Sequence, residues 1–214
     1  MTAPFYVSPE QLVKDRAEFA RKGIARGRAI VGMQYAEGIL LVAENTSTTL
    51  HKIGEIYDRV AFCGVGRYNE FESLRVAGVR HADLKGYLYG REDVAATSLA
   101  NAFAQTLGNV FTHEVKPYEV ELLVAELGTD AAGDRLYTVL YDGTLSEHRG
   151  FAAIGGPAEE LAEVLGEGLD PNQTLDEARS AVEAAFAAVL DREVDGWEAA
   201  VLERNGRRRA FRRL

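Results

Sequence analysis

Apolar positions along the chain follow two different periods, and each change of period marks a boundary. Leu12, Phe19, Ala20 and Ile24 recur at helical spacing. Ser8, Pro9 and Gln11 supply an N-cap, a residue suited to the first helical position and the end of an S-x-x-Q capping box. Gly27 stops the run near Arg26, so the pattern predicts a helix over 8–26. Short apolar runs at 29–34 and 39–43, parted by Tyr35-Ala36-Glu37-Gly38, read as a hairpin. Residues 52–56 and 59–65 form a second strand pair that turns at Tyr57-Asp58. Helical spacing returns over 68–84 through Phe71, Leu74 and Val79. It recurs over 94–112, with Leu99, Phe103, Leu107, Val110 and Phe111 on one face. Strands follow at 119–126, 136–141 and 151–154, with Asp142-Gly143 as a turn signal. Helices at 157–165 and 174–190 come next, and the chain closes on a hairpin of 197–203 and 207–214 across Asn205-Gly206. Helices in pairs between blocks of strands predict α+β layering instead of the strict alternation of a parallel sheet.

Composition narrows the class. The 214 residues are 47% hydrophobic and 27% charged, with a formal net charge of -9. That balance excludes disordered and collagen-like chains and suits one sizeable domain over 1–214. The single Cys63 cannot form a disulfide within the chain, which fits a reducing cytoplasm. No run reaches the roughly 18–20 apolar residues of a membrane helix, and the first ten residues lack a signal-peptide core. No membrane partner is expected. The average hides an asymmetry: residues 204–214 hold six Arg and no acid, leaving -15 on the rest.

The candidate chemistry is sparse. None of His51, His81, His113 and His148 pairs as H-x-x-x-H, and Cys63 has no second Cys, so neither a metal nor another cofactor is expected. Gly155-Gly156 before the helix at Pro157 could meet an anion, but without a P-loop Lys-Ser/Thr it reads as a tight turn. Gly64-x-Gly66 falls short of a dinucleotide fingerprint. The Arg-rich end invites a nucleic-acid reading: on a strand, Arg207, Arg209 and Arg213 share a face with Phe211. With only Phe211 to stack on a base, the better reading is an edge strand defended by charge or a docking surface for an acidic neighbour, and no nucleic-acid partner is expected.

Several segments, in order, carry a resemblance. They are Ser8-Pro9-Glu10-Gln11 with Ala20-Arg21-Lys22-Gly23-Ile24-Ala25-Arg26; Leu41-Val42-Ala43-Glu44-Asn45; Lys52-Ile53 to Tyr57-Asp58-Arg59-Val60; and Tyr68-Asn69-Glu70-Phe71. Gln105-Thr106-Leu107-Gly108, Lys116-Pro117-Tyr118-Glu119 and Arg208-Arg209-Ala210-Phe211 continue the series. Together they resemble the actinobacterial proteasome α-type subunits over nearly the whole chain. The resemblance implies the N-terminal nucleophile hydrolase fold, a four-layer αββα sandwich of two antiparallel sheets between helix layers.

In that fold the β-type subunits are peptidases, with a Thr at the mature N-terminus as nucleophile and its own amine as base. The corresponding place here, before Ala29-Ile30-Val31-Gly32, holds Arg28, whose guanidinium stays protonated and cannot attack. Glu44 and Lys52 fall where β subunits keep their catalytic carboxylate and lysine, with no Thr to activate. The resemblance therefore implies a non-catalytic α subunit, with no catalytic residues of its own, in a threonine endopeptidase complex that serves ATP-dependent protein degradation. Its implied partners are neighbouring α subunits in a seven-membered ring, β subunits beneath it, protein substrates in transit and a hexameric ATPase activator. Met1, Thr2, Ala3, Pro4, Phe5, Tyr6 and Val7 would be the gating tail, and 8–26 the N-terminal helix on the outer face. Lys52 would receive the carboxylate of an activator's C-terminal tail, with Lys22 and Arg26 lining the same cleft. His113, Glu114, Val115 and Lys116 would form the pore annulus. The alternative is a self-processing N-terminal nucleophile hydrolase with its own active site.

Overall fold

The computed structural model describes residues 8–168 and 170–214. Helix α1 (Pro9–Ile24) leads into two hairpins, β1 (Ile30–Tyr35) with β2 (Gly38–Glu44) and β3 (Ile53–Tyr57) with β4 (Val60–Gly66). Helices α2 (Tyr68–Leu88) and α3 (Ala96–His113) follow, then β5 (Val120–Glu126), β6 (Arg135–Val139), β7 (Leu145–His148) and β8 (Phe151–Ile154). Helices α4 (Ala158–Glu167) and α5 (Leu175–Val189) precede β9 (Trp197–Glu203) and β10 (Phe211–Arg213). The strands form two antiparallel five-stranded sheets, ordered β10-β9-β2-β1-β8 and β3-β4-β5-β6-β7.

The pleat sorts side chains between layers. On β2, Ile39, Leu41 and Ala43 point into the core between the sheets, while Leu40 and Val42 point to α4 and α5. On β5, Leu123 and Ala125 face the first sheet, while Leu122 and Val124 join Phe71, Phe103 and Leu107 under α2 and α3. Both faces of the central strands are buried, so they read as continuous apolar runs and not as alternation. This is the αββα layering implied by the resemblance. Cys63 lies in the core between the sheets with no exposed surface, and burial raises its thiol pKa.

Helix α1 closes one end of the sandwich. Its Ala20 and Ile24 join the core between the sheets, while Leu12, Val13 and Phe19 remain about half exposed. Gly23 is where α1 meets the start of β5: a Cβ there would run into the Glu119 carboxylate. Arg16 donates to the carbonyls of Phe111 (2.5 Å) and Thr112 (3.2 Å), placing a cation at the C-terminal end of α3.

Four local expectations need correction. Ser8 accepts from the Gln11 amide, but the Gln11 side chain turns to Asp15 (2.6 Å), so only half of the capping box forms. The two-residue turn at Asn205-Gly206 is instead a loop over 204–210. Arg204 is drawn to Asp134 (2.6 Å), and Ala210 donates to the Asp58 carbonyl, which stretches the connection across the end of the sandwich. Only Phe211–Arg213 is strand, so the Arg face expected over 207–213 does not exist as such. Strand β7 forms where the sequence pattern predicts a loop, because only Leu145 gives it apolar character.

Candidate functional site

The end of the sandwich under α1 gathers the start of β1, the end of β2 and the approach to β3. Arg28, just before β1, donates from Nη1 to Glu44 Oε1 at 2.9 Å. Arg192 reaches the same carboxylate with a fork, at 2.6 Å to Oε1 and 2.8 Å to Oε2. Glu44 is 1% exposed, and two guanidinium groups supply the countercharge its burial demands. Arg192 holds the Glu44 carboxyl below the usual range, with burial opposing and Arg28 adding to the effect.

Lys52 enters this cluster from the other sheet. Its Nζ donates to the Arg28 carbonyl at 2.8 Å. Burial, with Arg28 adding to it, lowers its pKa to about 8 against the pull of Glu44 and Glu198. Beneath it, Glu198 accepts the main-chain N–H groups of Lys52 (2.8 Å) and Ile53 (3.2 Å). Glu198 also accepts from Asn45 Nδ2 (2.8 Å) and Arg213 Nη1 (2.9 Å). Hydrogen bonds from these donors keep its carboxyl ionised to lower pH than usual, against the opposing effect of burial. The arrangement is a cationic ledge over satisfied carboxylates. It can hold an anion, and its one residue at the start of β1 is no nucleophile.

Among the described residues, the other docking and annulus candidates make no hydrogen bond or ion pair with this ledge. Lys22 pairs with Glu18 (2.7 Å) on the exposed side of α1, and Arg26 is exposed in the turn after it. Among the described residues, neither bonds to Lys52. His113 ends α3, and Glu114, Val115 and Lys116 form the exposed loop after it, with Val115 95% exposed. Lys116 anchors that loop to Glu70 (2.7 Å) and Glu119 (3.0 Å). The gate residues Met1–Val7 lie outside the described residues. Gly155 and Gly156 both have positive φ, and the Gly155 N–H is taken by Glu121 Oε2 (2.9 Å), as a tight turn requires.

Sequence reasoning missed Arg192, Glu198 and Arg213 as members of the cluster. Arg192 and Glu198 stand more than 140 residues from their partners Glu44 and Lys52, and Arg213 as far from Ile53, so no local spacing signals these contacts. Arginines of the C-terminal end are engaged within the chain: Arg204 with Asp134, Arg208 with Asp58, Arg209 with Glu55, Arg212 with Glu203 and Arg213 with Glu198. No described helix is long and apolar enough to cross a membrane.

A family model described as "Proteasome subunit" matches residues 24–203. The whole chain aligns with proteins named "Proteasome subunit alpha". That of Acidimicrobium ferrooxidans is 57% identical over 93% of its own length. That of Kineococcus radiotolerans is 56% identical over 94%, and that of a Nocardioides species 56% over 86%.

Proposed function

The chain belongs to the proteasome subunit family, among its α-type members, and we propose that it is a non-catalytic, cytoplasmic subunit that builds, gates and presents the outer ring of the core particle. Seven copies would form that ring on β subunits that carry the peptidase activity. Residues 1–7 would close the axial pore, with 8–214 as the single domain behind them. Residues 113–116 would line the pore rim, and Lys52 would receive the tails of a hexameric ATPase, with Lys22 and Arg26 offering charge along the wider docking face.

The observation that carries this reading is the start of β1. Where a threonine peptidase needs a nucleophile, Arg28 stands with its guanidinium bound to Glu44 and its carbonyl bound to Lys52. The carboxylate and the amine that could assist an attack are both engaged in holding an arginine. Support for the docking role comes from Lys52 as a partly buried cation, a setting in which an ion pair with a carboxylate gains strength. Support for the gate is compositional: residues 1–7 are apolar and aromatic, able to pack together around an axis.

Native mass spectrometry of the chain with its cognate β subunit tests the assembly. The expected species contains two rings of seven of each chain, with this chain at its full mass. Loss of a leader that exposes Thr, Ser or Cys would overturn the reading in favour of a self-processing hydrolase. Deleting residues 2–7 should raise small-peptide cleavage by the complex, and an unchanged rate would refute the gate.

A further inference from the structure

Lys52 stands at the approach to β3, which among the described residues is an edge strand with β4 as its single strand neighbour. The missing neighbour is replaced by side chains. Glu198 takes the N–H groups of Lys52 and Ile53, and Arg213 Nη2 donates to the Ile53 carbonyl at 2.8 Å. Arg213 Nη1 grips the same Glu198, so carboxylate and guanidinium together imitate the acceptor and donor of an adjacent strand. Asn45 Nδ2 bonds both Glu198 and the Leu50 carbonyl (each 2.8 Å), which draws the loop before Lys52 onto the same point. With its main chain fixed, Lys52 reaches the Arg28 carbonyl with one of its three donors, and among the described residues the others are left for a second acceptor.

We propose that Glu198 and Arg213 are positioning residues for Lys52, which couple the C-terminal strand β10 to the docking of an activator's carboxylate-bearing tail. The inference rests on the docking reading of Lys52. The Glu198 side chain is 10% exposed, so its bonds are shielded from water and each donor lost there goes unreplaced. An amide in its place keeps one acceptor and turns an NH₂ group toward donors. Arg213 lies on the outermost strand of its sheet, where truncation leaves the core between the sheets intact.

The test uses the full core particle with β subunits and a hexameric ATPase. ATPase-stimulated protein degradation is measured against ATPase concentration and normalised to each variant's own small-peptide cleavage. Glu198→Gln should raise the half-saturating ATPase concentration by roughly tenfold, and Arg213→Ala by about threefold or more, with the saturating rate kept. Arg213→Lys should recover part of the loss. If Glu198→Gln fails to assemble, Arg213→Ala decides alone. An unchanged half-saturating concentration in these variants, while Lys52→Ala raises it, overturns this inference and leaves the docking reading standing. A lower saturating rate at unchanged half-saturation also overturns it, because that outcome marks a purely structural role. A Lys52→Ala particle that responds normally to ATPase overturns the docking reading, and this inference with it.

Discussion

Lys52 titrates in a range where a cell or an assay can reach it. Its pKa is lowered from 10.5 to about 8, with burial as the main cause. The folded chain therefore holds this proton less tightly than the unfolded one. The resulting penalty on stability is fully present below pH 8 and is relieved as pH rises from there toward 10.5. Docking of a carboxylate has the opposite preference, since it needs the ammonium. Raising pH from 7 to 9 should lift the half-saturating ATPase concentration by about tenfold, the loss of charged fraction expected for a group titrating near 8. Lys52→Arg should flatten that profile, and a wild-type profile without slope over this range would refute the assignment. Arg28, Glu44 and Lys52 were legible in the sequence because a resemblance lined them up with a known arrangement. Arg192 was not: in a segment rich in acids it reads as an ordinary surface charge, and only the fold carries it to Glu44.

Among the elements, those with strong internal patterns were legible. The β1–β2 hairpin, the β3–β4 hairpin and the buried stripe of α3 through Leu99, Phe103 and Leu107 all form where the spacing puts them. What escaped depends on distant partners. The loop over 204–210 follows the pull of Asp134 and Asp58, and α2 runs on to Leu88 past its buried stripe, with Tyr87 and Leu88 exposed. Helix α1 shows how close packing overrides propensity. Alanine at a helix interior normally gains about 1 kcal/mol over glycine. At Gly23, however, a methyl would strike the Glu119 carboxylate, which Lys116 and Arg67 already hold at 2.9–3.0 Å. Gly23→Ala should therefore destabilise the chain by about 1–2 kcal/mol, a fall of roughly 2–8 °C in Tm by thermal denaturation. An equal or higher Tm would show that α1 can shift on β5 at little cost.

Taken as a whole, the molecule separates charge by region. Residues 157–195, which include α4 and α5, hold eleven acids and two Arg. The six Arg of 204–214 stand at the strand end of the chain, and five of them are spent on carboxylates of the same chain. The basic end is thus a fastening between the two sheets. The layer order was legible only through family resemblance, since the element order fits other α+β architectures equally well. The sealed position of Cys63 gives the molecule an internal clock. As the sole thiol, with no exposed surface and a raised pKa, it is silent to thiol reagents until the two sheets part. Its labelling rate in the native protein should match the rate of global unfolding seen by fluorescence, and faster labelling would reveal a local opening of the sandwich. Until that opening, a cysteine engineered onto the surface would be the only reactive thiol, so a single dye could be attached there without first removing the native one.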